Sequence, residues 1–289
     1  MSKASGKSIE QSIKEKVKSI AQKQNRTFND VWQEVVLERW LARLASSNYR
    51  KNFIFKGAMC LLRYIELGRE TRDLDFLIKD LTASIDDVKK YLSEVSAMEL
   101  PDGFSFEKLD VGPLPHAHMK YPGYQVSVFG ILGSTKTKVF IDIGVGDAVK
   151  PSEITMKLLG TDKSPLFEKE INLWAYPVES IFAEKLETAV ARADQNSRMK
   201  DYHDLVLLIR NDIADIKKLK GAIKDTFSNR ETKPSLLSIP KDQQDNIQKY
   251  WAAYRKSLSP ESLADLPDDL RSLVEEINSF IKSNKLLEL

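Results

Sequence analysis

Apolar positions change their spacing along this chain, and each change marks an element. Residues 8–23 interleave apolar and charged side chains at helical intervals and predict an amphipathic helix. Thr27 or Asn29 can cap a second helix, with Val31, Val35, Leu37, Leu41 and Leu44 as its apolar stripe and Asp30 suited to the first turn. The period then shortens: Phe53-Ile54-Phe55 is an aromatic, β-branched run, followed by Lys56-Gly57 and an apolar stretch to Ile65, which predicts strand, tight turn and helix. A second strand is expected over 74–78, entered through Thr71-Arg72-Asp73, and a helix over 85–98. Runs at 104–109, 124–132 and 138–145, punctuated by Gly and Pro, read as hairpin-connected strands. From Pro177, placed near a helix start, helical periodicity continues to the end. The expectation is a mixed α/β domain over 1–172 and a helical domain over 173–289.

Composition narrows the class. The chain has 289 residues, 42% hydrophobic and 30% charged, enough apolar surface for a sizeable core. The longest stretch without Asp, Glu, Lys or Arg, residues 121–135, is too short and too broken by Gly and Pro to span a bilayer. Charges recur through the first twenty residues, so no signal peptide is read there. Cys60, the single cysteine, allows neither an internal disulfide nor a multi-thiolate metal site, and on an apolar helix face it reads as core. A cytoplasmic protein is expected. The net charge of +2 conceals a segregation: residues 1–80 hold 16 Lys or Arg against 10 Asp or Glu, and residues 196–257 hold 13 against 8. Two basic regions of this kind suit a polyanion or a triphosphate, although Lys and Arg also serve as ordinary solvated helix faces.

The candidate chemistry lies between Lys56 and Asp75. Alternate residues of a strand share a face, so Asp73 and Asp75 present two carboxylates to one point. Hard divalent ions such as Mg²⁺ take oxygen ligands, and nucleotide sites combine one or two carboxylates with substrate phosphates. Asp142, a lone charge inside the apolar run Val139-Phe140-Ile141-Asp142-Ile143, is a third candidate because an unpaired carboxylate is costly to bury. Gly57 lets a phosphate approach the backbone where strand passes into helix, and Lys56 adds a point charge. A Gly turn or an Asp-x-Asp pair alone has plain structural uses. Their order, with the third acid on a later strand, is the layout that two-metal nucleotidyl transfer requires.

The helical half carries a second constellation. Lys185 and Arg192 are seven apart on one helix face, and Arg198-Met199-Lys200-Asp201-Tyr202-His203-Asp204 opens another helix with Asp201 and Asp204 three apart. These cations could bind a triphosphate and an Asp could accept a proton from an attacking hydroxyl. The alternative is a helix-start cluster of surface ion pairs.

Taken together, Phe55-Lys56-Gly57-Ala58, Arg72-Asp73-Leu74-Asp75-Phe76, Pro177 through Ala183-Glu184-Lys185-Leu186, and Arg198 through Leu205 resemble, in order, the motifs of the AbiEii/AbiGii-type nucleotidyltransferase toxins. The resemblance covers about residues 50–210. It implies a DNA polymerase β-like nucleotidyltransferase fold, a mixed sheet flanked by helices and followed by a helical domain. It also implies Mg²⁺ as cofactor, with a two-ion site, NTP as substrate, and a bacterial toxin–antitoxin or phage-defence setting with an antitoxin partner. By position, Gly57 and Ala58 fall on the phosphate-binding turn and Asp73 and Asp75 on the metal-binding acids. Lys185 falls on the lysine of the third motif. Arg198, Lys200, Asp201 and Asp204 fall on the fourth, whose first Asp is assigned as base. Asp142 is placed as third metal carboxylate by strand pattern. The family commonly has Gly-Gly, and the broader class Gly-Ser, where this chain has Gly57-Ala58; alanine offers no hydroxyl and tolerates positive φ poorly.

The leading expectation is an enzyme moving a nucleoside monophosphate from an NTP to an acceptor hydroxyl, with RNA, especially a tRNA 3′ end, as acceptor. A binding module without transfer and a small-molecule nucleotidyltransferase are the alternatives. His116 and His118, two apart in a Pro-rich loop and far in sequence from His203, lack the further ligands of a zinc site. Tyr250, Trp251 and Tyr254, among Lys249, Arg255 and Lys256, suit either base stacking or helix packing.

Overall fold

A computed structural model of the chain describes residues 3–114, 123–162, 164–192, 197–239 and 244–288, and the side chains among them from Ile9 onward except Gln244. His116 and His118 lie outside the described residues. The chain divides into two compact units: residues 1–59, 71–146 and 151–175 form the first, and residues 60–70, 147–150 and 176–289 the second.

The first unit is built on a seven-stranded mixed sheet. Helices α1 (Lys3–Lys23) and α2 (Phe28–Ser46) precede β1 (Phe53–Lys56), α3 (Gly57–Leu61), β2 (Asp73–Ile78) and α4 (Ile85–Ser96). The strands β3 (Phe104–Pro113), β4 (Tyr124–Leu132), β5 (Thr135–Val145), β6 (Ser152–Lys157) and β7 (Glu170–Ala175) follow. The order is β3-β4-β5-β2-β1-β7-β6. Pairs β2/β5 and β1/β7 are parallel and the rest antiparallel. Strands β6 and β7 were not expected. The period-two signal in β7 is present, with Ile171, Leu173 and Ala175 buried, whereas β6 buries only Ile154.

Helix α2 departs from the expected single stripe, since every residue from Val35 to Leu44 is buried. Thr27 is its N-cap and accepts from Asp30 N. Arg39 and Arg43 are buried along with the apolar residues and survive because both bind Asp102. Arg39 also reaches Glu168, and Arg43 the Phe104 carbonyl. Their guanidinium groups stack on Phe167 and Phe106. The predicted helix to Ile65 is shorter than expected, because α3 ends at Leu61.

The second unit is helical: α5 (Val178–Arg192), α6 (Met199–Arg210), α7 (Ile216–Asn229), α8 (Gln244–Arg255), α9 (Pro260–Ala264) and α10 (Leu270–Ser283). Pro177 immediately precedes α5 and its carbonyl accepts from Ser180 and Ile181, the N-terminal role its sequence position suggested. Trp251 is fully buried and Tyr254 packs on it and on His203, so that pair serves packing, while Tyr250 remains 52% exposed. Cys60 is buried, as expected of a core residue. Among the described residues no helix is long and apolar enough to cross a membrane.

Candidate active site

Strand register brings the three expected carboxylates onto one face. Asp75 on β2 is the direct partner of Asp142 on β5, and Asp73 lies two pairs back along the register, on the same face and opposite Phe140. On the other side Lys56 of β1 pairs with Asp75, and Gln125 of β4 pairs with Asp142 and donates to its Oδ1 at 3.2 Å. A polar row, Lys56–Asp75–Asp142–Gln125, therefore crosses four strands. The alternating residues Leu74, Phe76, Ile141 and Ile143 are buried on the opposite face, whereas Asp73, Asp75 and Asp142 are half-buried. Gln125 was missed in the sequence, although alternation along β4 places it on this face.

Gly57 adopts φ +72°, a left-handed conformation that a side chain strains. A Cβ built on it would lie 1.9 Å from Asp75 Oδ2. The missing side chain is thus the space that Asp75 fills, and the turn and the acid are one construction. Ala58 is not among the residues with positive φ and is nearly buried, so the departure from Gly-Gly imposes no backbone strain.

These donors suit a hard cation. Among the described residues no group of three or more His, Cys, Asp or Glu is arranged to hold a metal ion, so the row is not an all-protein cage. Paired carboxylates completed by phosphate oxygens and water are the manner in which Mg²⁺ is usually held. Asp75, fixed over a bare glycine beside Asp142, fits that pattern.

In the second unit α5 and α6 carry a buried ion network. Lys185 reaches Asp201 Oδ1 at 3.1 Å and Asp204 Oδ2 at 2.6 Å. Arg198, at the N-cap position of α6, binds Asp201 at 2.9 Å. Arg69 binds Asp204 through both oxygens, at 2.9 and 2.8 Å. Lys200 lies in the first turn of α6 beside Asp201. Asp204 has no exposed surface and Asp201 almost none. Burial favours the neutral acids, yet Lys185 with Arg198 outweighs it at Asp201, whose pKa falls to about 2, and Lys185 with Arg69 lowers that of Asp204. Burial likewise opposes the Lys185 charge, and Asp204 and Asp201 overcome it, raising its pKa. The surface-pair alternative does not hold for Lys185, Asp201 and Asp204, because surface pairs are solvated and these are closed off, whereas Arg198 keeps 35% of its side chain exposed.

Arg69 is the member that sequence reasoning missed. It lies between α3 and β2, where no periodicity exposes it, four positions before Asp73. His203 is fully buried beside the network: Nδ1 meets Tyr254 Oη at 2.8 Å, and Nε2 has no hydrogen-bond partner among the described residues. Burial lowers its pKa to about 4.

Comparison with solved structures finds the same fold. MenT4, a nucleotidyltransferase toxin from Mycobacterium tuberculosis, superposes with a TM-score of 0.54 at 16% identity over 94% of this chain and 99% of its own. A proposed nucleotidyltransferase from H. pylori gives 0.52 at 16% identity over 91% and 97%. No curated protein matches the sequence. The family model for the nucleotidyl transferase AbiEii toxin of type IV toxin–antitoxin systems matches residues 39–276. The chain belongs to that family and is a nucleotidyltransferase.

Proposed function

We propose that the protein moves a nucleoside monophosphate from an NTP to a hydroxyl of an RNA acceptor, the exposed 3′ end of a tRNA being the best candidate. In this reading it is a Mg²⁺-dependent toxin of the bacterial cytoplasm, restrained by an antitoxin. The acceptor oxygen forms a bond to the α-phosphorus, the bond from that phosphorus to the bridging oxygen breaks, and pyrophosphate leaves. The observation that carries the reading is the union of Asp75 with the bare Gly57 turn beside its register partner Asp142. Magnesium, when bound, supplies charge neutralisation on the α-phosphate and on the leaving pyrophosphate. Asp73, Asp75 and Asp142 are the residues that would hold it.

The backbone at Gly57 and Ala58, with Lys56 beside it, receives phosphate oxygens. Lys185, Arg198 and Lys200 are the cations suited to the triphosphate, and Asp204 fixes Lys185 for that task from its closed position. Asp201 is the base. Burial would raise its pKa, and Lys185 and Arg198 overcome that and hold it charged. Arg69 acts as a positioning residue through Asp204.

The test is the Asp73→Ala, Asp75→Ala double variant, assayed with each labelled NTP, Mg²⁺ and total RNA. Transfer should fall at least about 10³-fold with the circular-dichroism spectrum kept. Wild-type product from the folded double variant overturns the assignment.

A further inference from the structure

The face that carries the carboxylates also carries a partly exposed aromatic side chain. Phe140 is 39% exposed, although its strand neighbours Val139 and Ile141 are fully buried on the opposite face. Register places it directly opposite Asp73, two residues before Asp142 on the same face. Lys138, the next outward residue of β5, holds its ammonium 5.0 Å from the Phe140 ring centre and 5.9 Å from that of Phe129, its cross-strand partner on β4. The outward positions alongside are Ser127 on β4 with Glu107 and Asp110 on β3, and among the described residues Phe140 keeps 39% of its surface.

The order of strands gives this ring a side of the reaction. In-line displacement requires the attacking hydroxyl and the leaving pyrophosphate to lie on opposite sides of the α-phosphorus. The phosphate-receiving turn Gly57 is on the β1 side of Asp75, while Phe140 is on β5, beyond it. With strands about 4.8 Å apart, β1 and β5 are separated by about 10 Å, with Asp73 and Asp75 on β2 between them and Asp142 on β5 itself. The acceptor then enters over β5.

We propose that Phe140 is the stacking platform for the terminal base of the acceptor, a single-stranded RNA 3′ end, with Lys138 meeting the adjoining phosphate. This rests on the nucleotidyl-transfer reading above and adds where the acceptor sits. A π-face accepts any base, so the contact orients the 3′ end without selecting its sequence. Glu107 and Asp110 offset the charge of Lys138, so the ring carries more of the affinity than the charge does.

The experiment measures steady-state transfer to RNA and, separately, fluorescence anisotropy of a labelled single-stranded RNA hexamer. It compares wild type with Phe140→Ala, Phe140→Trp and, as control, Ile85→Ala, an exposed apolar residue at the start of α4. Phe140→Ala should raise KM for RNA and weaken hexamer binding by about 5- to 150-fold, the value of one stacked base. KM for the NTP should be unmoved. Phe140→Trp should restore binding, and Ile85→Ala should match wild type. Equal hexamer affinity and KM for RNA in wild type and Phe140→Ala overturn the platform while leaving the transfer reading standing, and so does an effect confined to the NTP. A wild type that transfers to no RNA and binds no hexamer removes both.

Discussion

Asp75 and Asp142 sit half-buried on a strand face, placed by register and by the glycine beneath Asp75, whereas Asp201 and Asp204 are closed off from solvent and held by Lys185, Arg198 and Arg69. The first pair lies in a polar row with Lys56 and Gln125 and keeps part of its surface exposed. The second is already neutralised by the protein's own cations, and its value to the fold depends on those partners remaining. Carboxylates of the same type are thus held differently in the two units: on the sheet by strand register and a glycine turn, among the helices by buried ion pairs.

The comparison predicts a steep gradient of stability effects. Asp204→Ala strands Lys185 and Arg69 without their shared acid, and removing one partner of a buried ion network costs about 3–5 kcal/mol. A lowered urea midpoint for the transition that includes α5 and α6 is the expected result, and an unchanged one contradicts the network's structural role.

The next effect depends on pH. His203 is buried with a pKa near 4, mainly through burial, with Asp204 pulling upward. Unfolded, its pKa is about 6.5. The folded value is the lower one, so the stability it contributes is complete above about pH 6.5 and is lost as pH falls towards 4. The loss is roughly 2–3 kcal/mol over that window. His203→Gln should flatten the dependence in denaturation series from pH 7 to 4; an equal slope in the variant shows that another group is responsible.

Gly57→Ala combines a modest strain with a displaced acid. The left-handed φ costs an alanine about 1–2 kcal/mol, and the added Cβ must push Asp75 aside, which should lower transfer by about 10²-fold. Full activity in this variant means that Asp75 need not occupy that space. Asp75→Asn, the smallest of the four, keeps the size of the side chain over Gly57 and should cost about 1 kcal/mol, well below Asp204→Ala. A loss comparable to that of Asp204→Ala removes the contrast between the two regions.

The sheet region was the more legible in sequence. Alternation placed Asp73 and Asp75 on one face, Asp142 stood out as a lone charge in an apolar strand, and the Gly57 turn declared itself through its position between an apolar strand and a helix. What alternation does not encode is which strands become neighbours. That Asp75 meets Asp142 depends on β5 lying parallel beside β2. The strand β6 stayed hidden because it buries one apolar side chain, whereas β7 carried a pattern that reads correctly once its partner β1 is known. In the helical region Lys185, Asp201 and Asp204 were visible as a spacing. Their burial was not, because helical period shows which residues share a face and not what covers it. Arg69 was beyond reach, since a loop arginine has no period and its bidentate clamp is a tertiary event.

The central claim is that the carboxylate row directs attack on the α-phosphorus. It is tested most directly by supplying the same NTP labelled at either the α- or the γ-phosphate, with Mg²⁺ and total RNA, and following both label and pyrophosphate. The account predicts α-label on RNA, one pyrophosphate released for each label incorporated, and no γ-label on RNA. Transfer of γ-label to the acceptor, or incorporation without pyrophosphate, would contradict it.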